Sequence, residues 1–220
     1  RSFGSLPLAV SVPPPSVDHT NHVVSVLAQG ATNSCVGHSC AQAIRVGLSL
    51  DGISKPELPS PYGIYYWARA ETKSQSVDAG TFLRDAAKAV QKFGFPPISV
   101  WPSSPLRINS QPSNVVSVFR AAHDRRGLRG YYRISMGDFG SMRIALAAGK
   151  PFIFGLNIRK SFLDNVGPKT IDKDTGAMAG GHAMCCIGYD AERFLIVNSW
   201  GNSWRNNGLA WITASRMEEA

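Results

Sequence analysis

Four cysteines and five histidines are the side chains of this 220-residue chain best suited to covalent chemistry. One cysteine stands in a reactive setting. Cys35 follows Thr32-Asn33-Ser34 and opens an apolar, small-residue stretch from Val36 to Leu50. Ser, Thr or Asn before such a run is a helix N-cap signature, so Cys35 is expected at the first turn of a buried helix. The positive end of a helix favours thiolate over thiol, and the thiolate is the nucleophile, so a lowered thiol pKa is expected here. Cys40 falls inside the same helix. Cys185 and Cys186 fall in an apolar, strand-like run, where burial raises the pKa and quietens the sulfur. All three read as core thiols, mostly reduced, in a chain too long to depend on disulfides.

A thiolate nucleophile needs an acid to protonate the leaving group, usually histidine. His182 is the best placed of the five. It follows Gly180-Gly181, which lets backbone and substrate approach closely, and it opens the run Ala183 to Tyr189. Asn198 ends the apolar run Phe194 to Val197 and precedes Ser199-Trp200-Gly201. Its amide oxygen can accept a ring N–H, and an adjacent Trp could shield that bond from water. A metal centre is the rival constellation, with His19-x-x-His22 and Cys35-x-x-His38 as four ligands. The first pair lies in an extended segment, where i and i+3 point apart, and the second would consume the nucleophile. No metal or cofactor is therefore expected.

The elements that must carry these groups fall into two textures. Residues 1–17 are proline-rich without period and read as an extended arm. Helices are expected from Val36 to Leu50, from Pro61 to Ala70 and from Thr81 to Phe93, the last ended by Gly94. Tyr62, Tyr65, Tyr66 and Trp67 read as core between two lobes. Residues 96–112 form a proline-rich loop. Later come a strand from Tyr131 to Ser135, a helix from Asp138 to Ala148, and strands Phe152 to Ile158, Ala183 to Tyr189, Phe194 to Asn198 and Leu209 to Thr213. Helices followed by strands give an α+β protein of two packed lobes. Apolar residues at 44% and charged residues at 17% exclude global disorder. No apolar run reaches the roughly 18 residues of a membrane span. The net charge of +8 is scattered, densest at Arg125, Arg126, Arg129 and Arg133, so a solvated basic face is expected and nucleic acid is not.

Three separated segments then resemble those of the papain-like cysteine peptidases. Gln29-Gly30-Ala31-Thr32-Asn33-Ser34-Cys35 places a glutamine six residues before the cysteine. Gly181-His182-Ala183, ending in Gly188-Tyr189, resembles the family's histidine strand. Asn198-Ser199-Trp200-Gly201, with Trp204 and Gly208, resembles its asparagine segment. The separation of Cys35 and His182 falls within the roughly 130–150 residues of papain relatives. The resemblance runs from about Pro15 onwards. It implies a two-lobe fold for residues 18–220: a helical lobe at about 28–125, an antiparallel β-barrel-like lobe at about 126–220, and a cleft between them. It implies Cys35 as nucleophile, His182 as acid/base partner, Asn198 as ring orienter, and Gln29 with the Cys35 amide as oxyanion hole. Trp200 would cover the Asn–His contact and Trp204 would wall the leaving-group side. Gly80 matches one of a glycine pair that binds substrate backbone, where Ala79 departs from it. Gly181, Phe82 and Gly155 would line substrate positions.

The departures are informative. Thr32, Asn33 and Val36 replace the Cys, Gly and Trp that surround the nucleophile in animal and plant members, so the usual disulfide of that first Cys is impossible. Gln-Gly-x-x-x-Ser-Cys-Val-Gly looks more like bacterial or phage members. The expected function is a thiol endopeptidase acting on peptide or protein substrates as a monomer, with residues 1–12 as an arm or a remnant of an inhibitory prosegment. A secreted or delivered protein is favoured over a cytoplasmic one. Rivals are an acyl transferase or deamidase on the same triad, a non-catalytic binding scaffold, and a delivered toxin or effector.

Overall fold

The computed structural model describes residues 12–104, 107–113 and 130–219. The cluster Arg125, Arg126 and Arg129, the expected lobe boundary at 125/126 and most of the N-terminal arm lie outside the described residues.

Three helices come first. Helix α1 (Cys35–Leu50) is rich in small residues on its buried side: Gly37, Ser39, Cys40 and Ala41. Helix α2 (Pro61–Ala70) starts where the sequence says it must. Ser60 accepts a hydrogen bond from the Gly63 amide at 3.0 Å, and Pro61 occupies the first turn, where its missing N–H costs nothing. Helix α3 (Leu83–Phe93) starts two residues later than expected, with Phe82 at the N-cap, and Gly94 ends it at φ 76°. The three pack around one apolar cluster that includes Tyr62, Tyr65, Trp67 and Trp101, with Ala183 as its buried contribution from the sheet. The aromatic group of α2 is thus core of the helical part itself, not the joint expected between lobes.

The sheet follows. Its strands are β1 (Val17–Asp18), β2 (Phe152–Arg159), β3 (Thr170–Ile171), β4 (Met178–Tyr189), β5 (Arg193–Val197) and β6 (Leu209–Thr213). Helix α4 (Phe139–Ala147) is capped by Asp138, whose carboxylate accepts the Ser141 amide. A one-turn α5 (Ala214–Met217) closes the described chain. Tyr131–Ser135 forms no strand; only Arg133 makes a bridge.

Strand β4 is the spine. One edge carries β2 from Met178 to Cys186, then β1 opposite Gly188 and Tyr189. The other edge carries β5 from Cys185 to Tyr189. The expected barrel-like sheet is present in open form. The path β1-β4-β5-β6-β3 stays open among the described residues, and β3 runs parallel to β6. A second apolar cluster covers this sheet, with Phe162, Met184, Phe194, Trp204 and Ile212 in it. No helix among the described residues is long and apolar enough to cross a membrane.

Helix α1 joins the two halves. It packs against α2 and also against β4 through Val46, Cys185 and Ile187. Its approach to α2 is close enough to require glycine. A Cβ on Gly37 would lie 2.3 Å from the Pro61 carbonyl oxygen and 2.8 Å from Tyr65 Cβ. Both obstacles are backbone or a fully buried side chain, so neither yields cheaply. Gly37→Ala should destabilise the fold by about 2 kcal/mol or more through overpacking, seen as a lower urea midpoint. An unchanged midpoint would mean that α1 slides freely on α2.

Candidate active site

Cys35 is the first residue of α1, as its flanks predict. The cap is not of the expected kind. Ser34 is the N-cap residue, but its side chain makes no capping bond. Its Oγ instead meets Thr32 Oγ1 at 2.6 Å and His38 Nδ1 at 3.1 Å.

The thiol pKa also departs from expectation. Burial pushes the Cys35 thiol up. Backbone amides of Ala183, Val36 and Cys35 itself draw it down by hydrogen bonding the sulfur, and the charge of Asp78 pushes it up. The helix end acts in the expected direction, and desolvation exceeds it.

The Ala183 contact matters for placement, because it sets the sulfur beside the residue that follows His182. His182 lies in β4, paired with Leu156 of β2, and is buried. Its Nε2 is 2.7 Å from Asn198 Oδ1. The same oxygen accepts the Ser199 amide at 2.8 Å. A backbone N–H can only donate, so the atom between them must be the amide oxygen, and Nε2 must carry the proton. In the neutral ring Nδ1 is then the lone-pair nitrogen. Trp200 stacks on the imidazole at 4.5 Å between centroids and 27° between planes. Burial lowers the His182 pKa to about 4, against the opposing pull of Asn198.

Gln29 is reached from the other side. Residues 27–29 pair with 199–201: the Gln29 amide donates to the Ser199 carbonyl at 2.8 Å, and Gly201 N donates to the Leu27 carbonyl at 3.0 Å. The Gln29 side chain is fixed at both ends. Oε1 accepts the Ser199 hydroxyl at 2.7 Å, and Nε2 donates to the Thr32 carbonyl at 2.7 Å. One N–H of the amide is left over.

The remaining expected residues divide. Gly155 pairs with Ala183, and a Cβ there would lie 3.6 Å from the His182 carbonyl oxygen and 3.8 Å from Leu83. Gly181 is exposed next to buried His182. Gly80 adopts φ +80° with open space above it, and its amide donates to Tyr65 Oη at 2.9 Å. Phe82 is 76% exposed, and Leu83, not singled out by the sequence, is the neighbour that reaches Gly155. Trp204 is fully buried and stands behind Trp200 and Phe162, so it walls nothing by direct contact here. The histidines considered as metal ligands are spent elsewhere. His19 Nε2 meets the Leu146 carbonyl oxygen at 2.9 Å, His22 Nδ1 meets Ser49 Oγ at 3.0 Å, and His38 Nδ1 meets Ser34. No group of three or more ligating side chains occurs among the described residues. Cys40, Cys185 and Cys186 are free and buried, like Cys35 unpaired by disulfides. Ser199, Thr32, Asp78 and Tyr65 were missed as site residues; only the flanking motifs hinted at the first two.

The chain is similar to known cysteine proteases in sequence and in fold. Residues 117–219 match the model of the papain family cysteine proteases. An uncharacterized peptidase C1-like protein of Acanthamoeba polyphaga mimivirus is 27% identical over 201 residues, covering 84% of this chain. The chain spans 63% of the length of that relative. Xylellain, a cysteine protease from Xylella fastidiosa, superposes with a TM-score of 0.84 at 29% identity, over 97% of this chain and 86% of that one. The digestive procathepsin L 3 of Tenebrio molitor shares the fold, with a TM-score of 0.74 at 19% identity over 97% of this chain and 71% of that one.

Two buried histidines give the site a pH signature. His38 and His182 titrate near 4 in the fold against 6.5 ordinarily. Both pKa values are depressed, so the unfolded chain binds more protons between those limits. Their contribution to stability is complete above pH 6.5 and is lost as pH falls through 4, up to about 3 kcal/mol each. Urea unfolding measured from pH 7.5 down to 4.5 should show this loss, and His38→Leu should remove about one proton from its slope. A flat profile would reject neutral burial of both rings.

Proposed function

We propose that this chain is a papain-like cysteine peptidase that hydrolyses peptide bonds through Cys35, His182 and Asn198 by way of a covalent acyl-enzyme. The observation that carries the reading is the 2.7 Å contact from His182 Nε2 to Asn198 Oδ1, with the sulfur of Cys35 set against Ala183. The ring proton is held on Nε2, so Nδ1 is the basic nitrogen, one residue from the thiol's amide donor.

Burial works against the thiolate–imidazolium pair that Cys35 and His182 would form, raising the thiol and lowering the imidazole. As Sγ attacks the substrate carbonyl carbon, its proton passes to His182 Nδ1. The carbonyl oxygen becomes an oxyanion, accepting from the free N–H of Gln29 Nε2 and from the Cys35 amide. Each donor is worth about 3 kcal/mol at the transition state. Collapse breaks the C–N bond, and His182 returns the proton to the leaving amine. Water then attacks the thioester, with His182 taking its proton, and the thiol is released.

Around this centre, Gly80 and Gly181 would pair with substrate backbone. Gly155, with Leu83 beside it and Phe82 at the rim, would receive the side chain two residues before the cut. Trp200 covers the imidazole, and Trp204 supports it from behind. Action as a monomer, secretion or delivery, an origin near the bacterial members and an inhibitory prosegment are part of the same reading. Xylellain supports the bacterial link, and a procathepsin among the fold neighbours supports the prosegment.

Incubating a mixed peptide library with the protein and with Cys35→Ala tests the reading. Cuts should appear only with the unmodified protein; cuts by both would sink the assignment of Cys35. Asn198→Ala should slow turnover less severely than loss of Cys35. Ser199→Ala removes the hydroxyl that holds Gln29 Oε1, and kcat should fall roughly tenfold with KM little changed, as for a weakened oxyanion donor. An unchanged kcat would mean that the Ser199 hydroxyl is not needed to hold Gln29 in place.

A further inference from the structure

The turn that delivers Cys35 is tied to a distant segment by one carboxylate. Asn33 N lies 3.1 Å from both Asp78 Oδ1 and Oδ2. The Asn33 side chain donates back to the Asp78 carbonyl at 2.7 Å. Tyr65 Oη donates to Asp78 Oδ1 at 2.7 Å and accepts the Gly80 amide at 2.9 Å. Asn33 is two residues before Cys35, and Gly80 two residues after Asp78. The carboxylate therefore receives backbone from the nucleophile's turn and, through one phenol, anchors the extended 78–80 segment.

The base of this arrangement is rigid. Tyr65 is fully buried in α2. The Arg69 guanidinium lies over its ring, 3.8 Å from the centroid. Arg69 is itself fully buried and donates to the carbonyls of Val77 and Ile108 and to Asn109 Oδ1. It thus pins the chain just before Asp78 while Tyr65 pins it just after. Asp78 is the partly exposed member that carries the linkage from this buried base to the turn before Cys35.

We propose that Asp78 is a positioning residue whose carboxylate locks the turn before Cys35 to the 78–80 segment, so that nucleophile and substrate-pairing backbone are held in one register. The proposal rests on the peptidase reading for the roles of Cys35 and Gly80. Its physical cause is geometric, since an error of about 1 Å in nucleophile placement can cost on the order of a hundredfold in rate. The carboxylate also acts on Cys35 by its charge, disfavouring the thiolate. The titratable groups that feel Asp78 are Tyr65 and Arg69 of α2 and Cys35 of α1.

Clamp and charge separate in two variants. Asp78→Asn removes the charge but keeps Oδ1 as acceptor for Tyr65 and Asn33. Asp78→Ala removes both. Three readouts apply to the unmodified protein and to each variant: amide exchange at 31–36 and 77–81, peptide kinetics, and the pH dependence of Cys35 alkylation by iodoacetamide. With Asp78→Ala, exchange in the two segments should rise together and kcat/KM should fall about tenfold or more, with kcat lowered and KM raised. With Asp78→Asn, exchange and kinetics should stay within about threefold of the unmodified protein. In both, alkylation should begin at lower pH. Exchange rising in only one segment, kinetics of Asp78→Ala within about twofold of the unmodified protein, or an equal loss in Asp78→Asn would overturn the clamp. If Asp78→Ala does not fold, Tyr65→Phe takes its place. Loss of that hydroxyl should free Gly80 and raise KM, and an unchanged KM counts against the proposal. Should the unmodified protein cut no peptide, the peptidase reading fails, while exchange and alkylation still decide the clamp.

Discussion

A single oxygen, Asn198 Oδ1, receives two donors, and the rest of the site follows from that fact. The Ser199 amide and His182 Nε2 converge on it from 2.8 and 2.7 Å. The first donor is backbone and cannot be misassigned, so the amide has one orientation and the imidazole one tautomer. Ser199 then carries the constraint onward. Its hydroxyl holds Gln29, and its carbonyl receives the Gln29 amide. A bond that looks like an orienting detail therefore fixes the tautomer of the imidazole, the direction of its lone pair and the placement of the glutamine across the chain.

The fold supports this by joining elements remote in sequence. Cys35 begins a helix, His182 lies in a strand, and Asn198 follows the next strand. They meet because α1 packs on β4 and because β4 and β5 are antiparallel neighbours. Gly37 permits the close seat of α1 on α2. The helix cannot be moved without moving the sulfur. Burial sets the energetics of the site, because it acts against charging either imidazole, His38 or His182, and against ionising the Cys35 thiol.

Much of this was legible because chemistry here sits at element ends, where sequence is punctuated. Pro61 opened α2, Gly94 closed α3, and Thr32-Asn33-Ser34 announced the helix that begins with Cys35. What escaped had physical reasons. The first residues of β4, Met178 to Gly181, hide their strand behind glycines, because pairing with β2 and not propensity makes them a strand. Tyr131 to Ser135 has the opposite character, with strand-like residues but only one bridge. The raised thiol pKa needed a three-dimensional burial that a helix-end argument omits. The links from Asp78 to Asn33 and Tyr65 span 45 and 13 residues, beyond any local pattern.

The distribution of sulfur has a consequence of its own. Of four free thiols, Cys40, Cys185 and Cys186 are enclosed, and burial pushes each far up, Cys40 to about 12. Cys35 alone is partly open to solvent. An electrophile therefore reaches the Cys35 sulfur by exposure alone. The folded chain presents one addressable sulfur and conceals three, so labelling stoichiometry becomes a gauge of how much of the population is intact.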